Sequence, residues 1–97
     1  MQFFEMLVFM ISSAASAIAG NKPDEFKAWT AQIFMVLQIM PPGSLTQAQI
    51  AEICSQLTIL RSNAETWLTL PGLSPADKLK INEGIAAIDA SKEVLGC

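Results

Sequence analysis

TQAQIAEICSQLTILRSNAETW, residues 46–67, is the stretch that decides the fold class. Thr46 can cap a helix, Gln49 three residues on can return the hydrogen bond, and Leu45 can pack on Ile50. That combination is a capping box with a hydrophobic staple. Thr46, Ile50, Ile53, Leu57, Leu60, Ala64 and Trp67 then recur at alternating spacings of four and three, the signature of one buried helix face. Gln47, Glu52, Gln56, Asn63, Arg61 and Glu65 occupy the other faces, and the last two stand one turn apart, where they can pair. The pattern predicts an amphipathic helix over 46–69.

Proline and glycine bound this segment and divide the rest of the chain. The breaks are Gly20-Asn21-Lys22-Pro23, Pro41-Pro42-Gly43 and Pro71-Gly72-Leu73-Ser74-Pro75. Proline lacks an N–H and clashes with the preceding turn, so helices stop at such places. No segment between them alternates as a half-buried strand does. The segment 24–40 carries Asp24 and Glu25 in its first turn, where negative charge suits the helix dipole. Its Phe26, Trp29, Ile33, Val36 and Met40 form one stripe, which leaves Phe34, Met35, Leu37 and Ile39 for a second apolar face.

Ser74-Pro75-Ala76-Asp77 reads as cap, first-turn proline and first-turn acid, opening a helix over 75–95. Ile81, Ile85, Ile88 and Leu95 line one side of it, with Lys92 in the same register. Gly84 suggests a close helix crossing, and Gly96 is placed to end the helix. The first segment, 2–19, is apolar nearly all round, and from Ser12 to Gly20 every residue but Ile18 is Ser, Ala or Gly. Small residues let helix backbones approach closely. The expected fold is therefore all-α: a small four-helix bundle forming one domain over 1–97. Short connections favour up-down-up-down topology with consecutive helices as antiparallel neighbours.

The composition limits function more than it identifies it. Hydrophobic residues make up 52% of the chain and charged residues 15%, against about 25% charged in an average domain. So few charges imply apolar surface beyond what one small core can hide. The net charge of −3 is scattered, with no basic stripe to displace phosphate counterions, and no nucleic-acid partner is expected.

Histidine is absent, which removes the commonest general base and the commonest transition-metal ligand. The glycines stand singly, so no phosphate-cradling loop exists. Asp24 with Glu25, and Asp89 with Glu93, are the nearest carboxylate pairs; a helix-dipole role and a solvated face beside Lys92 account for them. No catalytic residue, metal site, cofactor or small-molecule substrate is expected. Trp29 and Trp67 lie on apolar stripes and are assigned to the core rather than to a binding hot spot. The five methionines are likewise read as core filling.

Two cysteines make no disulfide framework, although a bond between them is compatible with the count. The expectation is an inert Cys54 packed as a small hydrophobe and a solvent-facing Cys97. Leu7–Ile11 followed by the small residues 12–20 resembles a signal peptide, but Glu5 and the lack of any Lys or Arg ahead of it argue against one. As a membrane span, Met6–Gly20 is short of the ~20 residues a bilayer core needs.

These features favour a non-enzymatic interaction or structural subunit that buries surplus apolar surface against a protein partner or its own copies. A homo-oligomer or a virion- or phage-type particle would suit, in the cytoplasm or within the assembly. The expected contact surface is Phe34, Met35, Leu37 and Ile39, joined by Phe3 and Phe4 if the amino terminus docks outward. Two alternatives stay open. One is a small membrane protein, holin-like or an inhibitor, inserting 2–20 and 26–40 as a hairpin. The other is a regulatory helical module with a groove for a peptide helix.

Overall fold

The capping box forms as its residues require. The Gln49 backbone N–H donates to Thr46 Oγ1 at 3.1 Å, and the Thr46 N–H donates to Gln49 Oε1 at 3.0 Å. Behind it runs α3, Gln47–Leu68. In the computed structural model, which describes residues 2–97, it is joined by α1 (Phe3–Ala19), α2 (Pro23–Ile39) and α4 (Pro75–Leu95). Each boundary falls within one residue of the sequence expectation. Ser74 caps α4, accepting from the Asp77 N–H, and Gly96 ends it in the left-handed region at φ 76°. That is the conformation glycine adopts without a Cβ penalty.

The four helices make an all-α bundle measuring 43 × 19 × 18 Å, with directions alternating up, down, up, down. Cross-links between helices give the relative directions. Lys80 reaches Asp24 and Lys27 reaches Glu83, so α2 and α4 run parallel. Arg61 reaches Asp89, and Cys54 lies against Cys97, so α3 and α4 run antiparallel. Neighbours are α1 with α2 and α3, and α4 with α2 and α3. The expectation that every consecutive pair would be adjacent therefore fails once: α2 and α3 lie diagonally opposite, and 40–46 crosses the base of the bundle between them. That segment is longer than the other two links, and Leu45 anchors it by burying its side chain.

The core sits on the common axis. Leu7, Ala14, Phe26, Ile33, Ile53, Leu57, Ile81 and Ile88 are at or near zero exposure. Phe26 is the pivot. Its ring meets Trp67 edge-on at 5.5 Å and covers Gly84 so closely that a Cβ there would collide with it. The crossing suggested by Gly84 is thus made by an aromatic ring lying on the bare α4 backbone. Two hydroxyls enter the core at no polar cost, because each donates to its own helix. Thr30 Oγ1 donates to the Phe26 carbonyl at 2.9 Å, and Ser91 Oγ to the Ala87 carbonyl at 2.8 Å. At the top of the bundle Trp67 Nε1–H donates to Asn21 Oδ1 at 2.9 Å, which ties the α1–α2 link to the end of α3.

The apolar amino-terminal segment is a structural helix here. Leu7, Met10, Ile11, Ala14 and Ala17 face the core. Among the described residues no helix is long and apolar enough to cross a membrane.

Candidate interaction surface

Helix α2 turns two faces to different surroundings. Phe26, Thr30, Ile33 and Leu37 point to the bundle axis, while Ala28, Gln32, Met35 and Ile39 are exposed on the opposite side. The exposed four are spaced four, three and four apart, so they form a single straight stripe. Met35 is 57% exposed and Ile39 77% exposed. No residue between Lys27 and Glu52 is charged, so nothing ionised interrupts the stripe. Beside it, on α1, Phe9 is 58% exposed and its ring stands edge-on to Trp29 at 5.8 Å. An outward phenylalanine on a half-buried tryptophan extends the apolar surface across the α1–α2 seam.

The sequence-predicted contact set divides against this geometry. Met35 and Ile39 lie on the stripe. Leu37 does not: it is 3% exposed and belongs to the core, because it falls in register with Ile33 and Thr30. Phe34 is half-buried on another side of α2. Phe3 and Phe4 are also half-buried and pack against the core cluster, so the first turn of α1 faces inward at these two residues. Phe9 was hidden from sequence reasoning because α1 is apolar on every side. The alternation of stripe and remainder could have flagged Ile59 and Leu79, which lie off the core registers of α3 and α4 and are exposed.

The other surfaces are less continuous. A shallow apolar groove follows the α1–α3 seam, where Ile11 and Ala15 face Ile59 and Leu60. The small residues of α1 leave that seam open, whereas Ala14 and Ala17 pack tightly inside. At the base, Leu37, Met40, Leu45, Ile50, Val94 and Leu95 line a depression under the Pro41-Pro42-Gly43 turn. Cys54 and Cys97 are bonded there, with Cα atoms 5.8 Å apart, within the usual span of a disulfide. The expected pair of free thiols is therefore incorrect. Helix α4 returns antiparallel to α3 and ends beside the second turn of α3, a proximity that linear spacing does not reveal.

The charged side chains work as inter-helix ties. Arg61 donates to Asp89 from Nε at 2.7 Å and also pairs with Glu65; these bonds and charges raise its pKa above the ordinary arginine value, Asp89 contributing most. Lys80 is raised likewise, by the hydrogen bond and charge of Asp24 and then by the charge of Asp77. Asp89 lies exposed with Glu93, as the solvated-face reading expects, and in addition pairs with Arg61. Among the described residues no three His, Cys, Asp or Glu side chains gather in a way that could hold a metal ion. No protein-family model, curated protein or solved structure matches the chain.

Proposed function

We propose that the protein is a self-associating helical subunit without catalytic activity, and that two copies pair through the outer face of α2. The observation that carries this reading is the uncharged stripe Ala28–Gln32–Met35–Ile39, whose two large members are left more than half exposed. The stripe is complementary to itself. Its amino-terminal end is small and its carboxy-terminal end is large, so a two-fold antiparallel pairing sets Ala28 against Ile39 and Gln32 against Met35. Isologous contacts of this kind close as dimers, and alternating small and large side chains let the helices interdigitate. The absence of charge removes like-charge repulsion about the two-fold axis.

Phe9 lies at the flank, where it would be covered by the same approach. Such a module suits a structural role, whether as a dimer or as a repeated part of a larger protein particle. A disulfide suits an oxidising environment better than a reducing cytoplasm, which of the two expected settings favours the assembly.

The test is the mass of the full chain by light scattering, for the parent and for Ile39→Glu with Met35→Glu. The expected result is a dimer or larger species that becomes monomeric in the double variant with its helix content unchanged. A parent chain that is monomeric at high micromolar concentration would defeat the reading.

A further inference from the structure

The bond between Cys54 and Cys97 ties the carboxy-terminal end of α4 to α3 at the base of the bundle. Of the last residues of α4, Val94 is half exposed, Leu95 is only partly buried, and Gly96 and Cys97 are exposed. Their backbone is fastened by two terminal hydrogen bonds, Gly96 N–H to the Glu93 carbonyl at 3.1 Å and Cys97 N–H to the Lys92 carbonyl at 2.9 Å. Those two bonds complete the helix cap; what is sparse at this end is side-chain burial, and segments with little burial open locally. Yet Val94 and Leu95 form one wall of the apolar depression whose other walls are Leu37, Met40, Leu45 and Ile50. The cross-link reaches that wall from α3, one turn beyond Ile50.

We propose that Cys54–Cys97 is a redox clasp that holds the last turn of α4 against this depression and releases it on reduction. The two cysteines are unequal partners. Cys97 is exposed just beyond the end of α4, whereas Cys54 is half-buried on α3. Accessibility governs which thiolate attacks an incoming disulfide, so Cys97 reacts first. Its thiolate attacks a small-molecule or protein disulfide, forms a mixed disulfide and expels one thiolate of the oxidant. The Cys54 thiolate then attacks the Cys97 sulfur and expels the second. The two cysteines lose two electrons and two protons in total, and the disulfide oxidant becomes two thiols. Reduction by a dithiol runs the same steps backwards and frees Leu95 from its seat.

The clasp is tested on the full-length chain with oxidised glutathione as the oxidant. After reduction and desalting, Cys54→Ser should accumulate one glutathione on Cys97, read by mass spectrometry. Cys97→Ser should acquire glutathione on Cys54 at least tenfold more slowly. Equal rates at the two positions would overturn the order of reaction.

The mechanical half is read by amide exchange of the parent in its oxidised and reduced forms. Protection at Leu95, Gly96 and Cys97 should fall at least tenfold more than protection at Ile81 and Ile85, buried in the middle of α4. An equal fall in both regions, or no fall at the α4 end, would show that the bond is not a local clasp. Both outcomes are independent of whether two copies pair through α2, since the clasp lies on α3 and α4.

Discussion

The α1–α2 pair and the α3–α4 pair are built by different means. In α1, α2 and their link, the only charged residues are Glu5, Lys22, Asp24, Glu25 and Lys27; all the others lie from Glu52 onward. Neither α1 nor α2 has a side-chain cap, whereas both α3 and α4 do. The α3–α4 pair is also stapled across its seam by Arg61–Asp89 and by the disulfide. Closing a loop with a sequence separation of 43 is worth about 4 kcal/mol in the chain-entropy account. One pair is therefore specified by its own local chemistry. Among the described residues the other has no polar link across its own seam, and it carries the uncharged stripe that ends in Met35 and Ile39. Local polar signals fix where helices begin and which neighbours they take, while exposed apolar side chains remain on both pairs, Met35 and Ile39 on one, Ile59 and Leu79 on the other.

Phe26 is the side chain that joins the two pairs, and its removal is the severest test of the division. Its ring is wholly buried, stacked edge-on to Trp67 of α3 and laid over Gly84 of α4. Phe26→Ala should destabilise the fold by about 3–5 kcal/mol, the range for emptying an aromatic site in a core. Chemical denaturation checks the size of the loss. Limited proteolysis checks its distribution: α1–α2, lacking caps and staples, should be cut before α3–α4. Simultaneous cutting of both pairs would mean that the polar staples lend no independent stability.

The sequence disclosed these two pairs unequally, for physical reasons. Helix α3 was legible to within a residue because Thr46, Gln49 and the four-three spacing from Ile50 to Trp67 all point the same way. Gly84 and Gly96 were legible because a missing Cβ has few structural uses. Leu37 was misplaced because α2 offers more apolar residues than one face can hold, and propensity alone cannot say which face wins. Burial of Thr30, through its bond to the Phe26 carbonyl, shifted the core face toward the Thr30–Ile33–Leu37 register. The diagonal placement of α2 and α3 and the Cys54–Cys97 bond depend on how helices stack in space, and neither leaves a mark in linear spacing.

A milder prediction concerns the capping box, which belongs to the locally specified pair. Thr46→Ala deletes the acceptor of the Gln49 N–H and should cost about 1 kcal/mol. The loss should appear as fraying of the first turn of α3, read by amide exchange at Gln49 and Ile50. Gln2→Ala, at the corresponding position of α1, should have almost no effect, since Gln2 makes no capping bond. Equal losses in the two variants would remove the distinction between the pairs at their helix starts.

The smallest expected effect is at Lys80, whose ion pair with Asp24 is one of two that link the pairs across the α2–α4 seam. Its pKa is raised by the hydrogen bond and charge of Asp24, with a further contribution from Asp77. A lysine with a raised folded-state pKa lends stability that is fully present below its unfolded value, near 10.4, and that is lost as pH rises through the folded value. The pair therefore acts throughout the neutral range and disappears only in strong alkali. Lys80→Met should lower the denaturation midpoint slightly at pH 7, and the two proteins should converge as pH passes the lysine range. Because both side chains are solvent-accessible, salt should screen the difference at pH 7. A gap that persists in alkali and in high salt would assign the role of Lys80 to the packing of its hydrocarbon stem along α2, and the seam would then be held by burial on both sides.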